Sequence, residues 1–143
     1  MQQNLIVNGD FEKVIVDEWK LAQGEGAVED LITKSSHCTL FDNNILYQNI
    51  SLQPGSEYEV SFKYRGKDNI IIGIVSYAPE SSFGVGIYSE DVNHDGSYEW
   101  MQFTDTFVVP ENRTGPYVIE FAVVGPYLDP VAHIDDVKLI QVL

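Results

Sequence analysis

Two carboxylates stand near opposite ends of the chain, each beside an apolar run of β type. Asn4-Leu5-Ile6-Val7-Asn8-Gly9-Asp10-Phe11-Glu12 opens the sequence, and His133-Ile134-Asp135-Asp136-Val137-Lys138-Leu139 lies near its close. If these runs are neighbouring strands, Glu12 and Asp135 meet as hard oxygen ligands. Calcium collects that donor type from carboxylates and backbone carbonyls. Such an ion would stabilise the domain by mass action and perform no catalysis. The competing reading is two ordinary solvated carboxylates at strand ends. Strand alternation puts Asp136 on the face opposite Asp135.

A second oxygen-donor pattern spans Asp91-Val92-Asn93-His94-Asp95-Gly96-Ser97. Asp91, Asn93 and Asp95 alternate, glycine stands sixth and Glu99 ninth, as in the first half of an EF-hand loop. The twelfth position is Gln102 instead of the bidentate Glu, and it falls inside a predicted strand. Asp95-Gly96 is also a hairpin-turn pair. The turn reading is therefore preferred to a second metal site.

Catalytic constellations find no support. His37, His94 and His133 lack metal-site spacing, and no Gly-x-Ser-x-Gly elbow is present. Some pair among 22 carboxylates could sit at a glycosidase separation of ~5–9 Å, but nothing in the sequence selects one. Cys38 is the sole cysteine, so no internal disulfide forms. Without a Cys/His constellation it reads as a small buried apolar residue.

Charge narrows the partners. Eight Lys/Arg against 22 Asp/Glu leave a formal net charge of -14. Phosphate backbones and anionic membrane surfaces need clustered basic residues, so both are poor partners. No run of about 18 apolar residues would span a membrane. Met1-Gln2-Gln3 is followed by no basic n-region or apolar h-region, so the sequence predicts no secretion signal.

The elements that must position these residues are strands. At 143 residues the chain suits one domain with a real core. Tyr58, Val60, Phe62 and Tyr64 alternate to one face of a strand over Glu57–Arg65, after a Pro54-Gly55 turn. Asn69–Tyr77 is a nearly continuous Ile/Val run, as in a strand covered on both sides. Further strands are predicted at Ala27–Thr33, Cys38–Phe41, Gln48–Leu52, Val85–Ser89, Tyr98–Val109, Tyr117–Val124 and Ala132–Leu143. Val14–Gln23 is the one helix-like stretch, at most a short turn. About nine strands broken by Gly, Pro, Asn and Asp indicate an all-β antiparallel sandwich.

Five pieces, in order, resemble carbohydrate-binding modules of the family 4/9/22 type. They are Asn8-Gly9-Asp10-Phe11-Glu12 followed by Trp19; Tyr47-Gln48 with Leu52-Gln53-Pro54-Gly55-Ser56-Glu57-Tyr58; Arg65-Gly66; Glu99-Trp100 leading to Phe103 and Phe107-Val108-Val109-Pro110; and Ile134-Asp135-Asp136-Val137. The resemblance runs from about residue 4 to 140. It implies a galactose-binding-like jelly roll over 1–143, non-catalytic and extracellular, of a kind appended to secreted glycoside hydrolases. It also implies a structural Ca2+ held by the Gly9 region, Glu12 and Asp135, with a carbonyl near Ser35–His37 as a looser match.

A polysaccharide or oligosaccharide ligand would need exposed rings to stack on pyranose faces and planar polar groups to bind hydroxyls. Trp19 and Trp100 fall where the family uses rings for the fold, and large aromatics dominate cores. The candidates are instead Tyr77, Phe83, Tyr88 and Tyr98, which border irregular loops, together with Tyr127; Arg65 and Glu80 could add polar contacts. The rival function is a protein-interaction sandwich of a phage or cell-surface protein without glycan affinity, because no family-type aromatic pair can be placed.

Overall fold

The computed structural model describes residues 3–13, 18–23, 31–32, 37–41, 44–66, 68–78, 84–93, 99–124 and 131–143. Within them run β1 (Trp19–Gln23), β2 (Cys38–Phe41), β3 (Ile45–Ile50), β4 (Glu57–Gly66), β5 (Asn69–Ala78), β6 (Val85–Val92), β7 (Met101–Val108), β8 (Thr114–Val124) and β9 (Val131–Gln141). They form a five-stranded sheet, β1-β3-β8-β5-β6, and a four-stranded sheet, β2-β9-β4-β7. Every pairing is antiparallel. The result is the expected jelly-roll sandwich.

Alternation explains how the layers close. Tyr58, Val60, Phe62 and Tyr64 of β4 all point inward and are buried, as are Ile70, Ile72 and Ile74 of β5 and Tyr117, Ile119 and Phe121 of β8. Phe62 joins the sheets: its ring meets Phe121 edge-on at 5.2 Å and lies 5.2 Å from Phe103. Burying one such side chain stabilises the fold by roughly 1.5–3 kcal/mol. The predicted turn forms, with Gly55 at φ 83 and the Ser56 N–H donating to the Gln53 carbonyl at 3.1 Å. That positive φ at the third turn position is what Pro-Gly supplies.

Three expectations are corrected. Trp19–Gln23 is a strand, not a helical turn, since β3 supplies its hydrogen-bond partners and the core accepts Trp19. Trp100 is not core but 38% exposed on the outer face of the four-stranded sheet. Asp136 does not alternate strictly with Asp135, though it keeps the expected contact with solvent. The register between β4 and β9 shifts there, Asp136 takes φ 51, and Val137 is buried in its place. A bulge of this kind inserts one residue without disturbing the faces beyond it. Asp136 instead lies 3.5 Å from Lys138 Nζ. Of the predicted Ala27–Thr33 strand, Leu31 and Ile32 lie within the described residues, and Ile32 bridges Cys38. Burial pushes the Cys38 thiol up to about 12, in keeping with a packed, unreactive cysteine.

Candidate functional site

The outer face of the five-stranded sheet carries a groove of about 290 Å³, lined by Ala22, Tyr47, Asn49, Tyr77, Pro116, Val118 and Glu120. Strand register builds it. Tyr47 pairs with Glu120, and Glu120 with Gly73; one step along, Asn49 pairs with Val118, and Val118 with Val75. Because Leu46, Gln48 and Ile50 point inward and are buried, Tyr47 and Asn49 must point out.

Glycines shape both the floor and the wall. A Cβ on Gly73 would meet the Glu120 side chain at 3.4 Å, so that carboxylate lies across a strand that offers it no competing side chain. Desolvation pushes the Glu120 carboxyl up from its ordinary value. A Cβ on Gly84 would overlap Val75 Cγ1 and approach the Tyr77 ring at 3.0 Å. Bare backbone at residue 84 therefore backs the Tyr77 ring. The groove thus offers two tyrosine rings, a carboxamide and a half-buried carboxylate on an apolar floor.

The candidates named from sequence scatter. Tyr77 lines the groove. Tyr88 does not: its ring stacks on Phe107 at 5.0 Å, and its hydroxyl donates to Asp105 Oδ2 at 2.8 Å, bridging β6 and β7. Burial, then that hydrogen bond, raises its pKa. Arg65 belongs to the opposite sheet, with its guanidinium carbon 4.8 Å from the Trp100 ring centre. Phe83, Tyr98, Tyr127 and Glu80 lie outside the described residues. Tyr47, Asn49 and Glu120 were missed. Alternation alone could have turned Tyr47 outward, but nothing local reveals that Glu120 and Gly73 lie beside it.

The chain ends do meet. The Leu5 N–H donates to the Leu139 carbonyl at 2.8 Å, and the Val137 N–H to the Gly9 carbonyl at 2.9 Å. Asn4 Oδ1 accepts from the Ile6 and Leu139 N–H groups. Desolvation pushes the Asp135 carboxyl upward, with Asp136 and Asp10 adding like charge; the Asp136 N–H and Lys63 pull the other way. Asp10 Oδ1 accepts the Glu12 N–H at 3.2 Å, and Glu12 is exposed. These all-oxygen donors fit a hard cation in type. Among the described residues, however, no three His, Cys, Asp or Glu side chains gather as a cage. Of the second donor pattern, Asp91 is an exposed residue of β6, the Asn93 carbonyl accepts from the Tyr64 hydroxyl at 3.2 Å, and Asp95 lies outside the described residues.

A third cluster occupies the outer face of the four-stranded sheet. His133 stands opposite Thr39 on one side and Arg65 on the other. Thr39 Oγ1 lies 2.9 Å from His133 Nδ1, and the His37 ring touches both His133 (5.1 Å) and Trp100 (5.4 Å). Burial, then the neighbouring His37 and Arg65, holds His133 down at about 4.

No family model matches the sequence, and no curated protein matches it either. Solved structures do match. A family 4 carbohydrate-binding module (CBM4) superposes with a TM-score of 0.72 at 19% identity, over 96% of this chain and 99% of that one. TmCBM61, solved in complex with β-1,4-galactotriose, gives 0.60 at 17% identity over 98% and 99%. The enzymatically active domain of bacteriophage CBA120 tailspike protein 4 gives 0.66 at 18% identity, over 97% of this chain but 21% of that one. The chain therefore has the jelly-roll fold of carbohydrate-binding modules.

Proposed function

We propose that this chain is a non-catalytic carbohydrate-binding module that takes a polysaccharide or oligosaccharide in the groove of its five-stranded sheet. The observation that carries the reading is the joint placement of Tyr47 and Tyr77 in one open groove with Asn49 and Glu120. Tyrosines supply flat apolar faces at little entropic cost. The amide and carboxylate accept and donate as sugar hydroxyls require. Among the described residues Glu120 is the sole charged one lining the groove, so neutral sugars suit it better than acidic ones.

In this reading the sugar is bound and released unchanged, and the module serves a larger extracellular protein. A calcium ion at the joined termini, drawing on Asp135, Glu12 and the Gly9 region with Asp10 beside them, would hold the fold and take no part in sugar contact. Its support is the like charge gathered around Asp135.

The test is retention on affinity gels containing xylan, β-glucans, galactans or mannans, followed by calorimetry on whichever glycan retards the protein. Binding lost in Tyr47→Ala and Tyr77→Ala supports the groove. Folded protein that binds nothing across a broad glycan array overturns it. A second reading, a structural module of a larger assembly, draws on the likeness to one part of the phage tailspike. Light scattering that finds a stable symmetric oligomer, with no glycan affinity, would favour that reading.

A further inference from the structure

Arg65 is an unusual residue in so acidic a chain. With 22 Asp/Glu available, its guanidinium has no carboxylate partner among the described residues and lies over the Trp100 ring instead. Met101 pairs with Tyr64, so Trp100 arrives beside Arg65 at the start of β7. His133 stands opposite Arg65 on β9, and His37 closes the corner by touching His133 and Trp100 together.

The chemistry of this corner is one-sided. A guanidinium carries five N–H donors and no acceptor, and stacking on indole holds its fork in a fixed plane. Thr39 occupies Nδ1 of His133, leaving Nε2 as that ring's remaining polar atom. The adjacent row, Lys63 opposite Asp135, is charge-balanced. A planar anion answers the guanidinium best, because a carboxylate pairs with the fork through two parallel hydrogen bonds. Trp100, 38% exposed, adds an apolar edge against which a ring can lie.

Net charge limits the ligand further. A chain at -14 repels a polyanion over its whole surface, whereas one carboxylate on a neutral molecule meets mainly the local field. We propose that Arg65, Trp100 and His133, backed by the buried His37 ring, form a binding site for a single carboxylate, that of a hexuronate residue carried on an otherwise neutral glycan. The site lies on the sheet opposite the groove and stands whether or not the groove binds sugar.

The test is titration of the intact protein with glucuronate and galacturonate, read by Trp fluorescence and by the indole N–H resonances. Glucose, galactose and acetate serve as controls. Hexuronates should perturb Trp100 and leave the buried Trp19 signal in place, and Trp100→Phe identifies the responding ring. Arg65→Lys keeps the charge but loses the fork, and should weaken hexuronate binding about tenfold or more. Arg65→Gln should abolish it, with Arg65→Lys carrying the test if that variant does not fold. Failure of both hexuronates to perturb Trp100, equal response to acetate, or unchanged affinity in Arg65→Lys would each overturn the site.

Discussion

The carboxamide of Gln48 brackets the backbone of Val7. Its Oε1 accepts the Val7 N–H at 2.8 Å, and its Nε2 donates to the Val7 carbonyl at 2.9 Å. Gln48 is a buried residue of β3, so a strand of one sheet holds the opening segment that runs along β9 of the other. Gln48→Leu keeps the volume but leaves both Val7 groups unanswered. Each lost partner costs about 1–3 kcal/mol. The denaturant midpoint should fall by an amount corresponding to at least one such bond, and an unchanged midpoint would rule out the clamp.

Gly9 is needed because a Cβ there would overlap the Val137 carbonyl oxygen. Gly9→Ala must push the opening segment off β9, breaking the Val137-to-Gly9 hydrogen bond. Overpacking of this kind costs about 1–3 kcal/mol. Thermal melts should show the loss, while Gly86→Ala, whose Cβ would meet nothing within 4 Å, serves as the neutral control.

Tyr47 and Tyr77 should matter for ligand and little for folding, since both rings face the groove and not the core. Removing either ring should weaken glycan binding roughly tenfold, about 1.4 kcal/mol. Calorimetry and melting temperature read together check this. A large drop in stability would return the rings to the fold.

Glu120 carries a carboxyl whose folded pKa lies above its unfolded value, through desolvation. Between those two values the folded state binds more protons than the unfolded chain. Stability from this group is therefore full below the unfolded pKa, about 4.3, and is lost as pH rises through the folded one. Glu120→Gln should raise the melting temperature at pH 7, with the gain vanishing as pH nears about 4. The same change should weaken glycan binding. A gain independent of pH would show that charge is not its cause.

The calcium proposed at the joined termini predicts a chelation effect. An ion present at about 100 times its Kd stabilises by about 2.7 kcal/mol. EDTA should lower the melting temperature of calcium-loaded protein, and Asp135→Asn or Glu12→Gln should abolish that sensitivity. Identical curves with and without chelator would remove the ion from the account.

The layers are legible in the amino-acid order alone, because two-residue alternation is a local property that each strand writes for itself. Tyr58 to Tyr64 shows it, and so does the Pro54-Gly55 turn that delivers β4. The apolar runs at both termini also point to ends that meet, and they do, but residues 4–12 dock on β9 as an irregular segment with a turn at Val7–Asp10 and not as the expected strand. Local pattern failed where pairing outweighed propensity. Trp19–Gln23 holds too few residues to show a period, and becomes a strand because β3 lies beside it. The sites were decided by tertiary structure alone. Tyr47, Glu120 and Tyr77 are separated by long stretches of chain and share a groove because β8 lies between β3 and β5. Arg65 is parted from Tyr77 and placed over Trp100 because strand parity turns it outward from the four-stranded sheet. Parity is written in each strand, but which strands become neighbours is settled by the energy of the whole core.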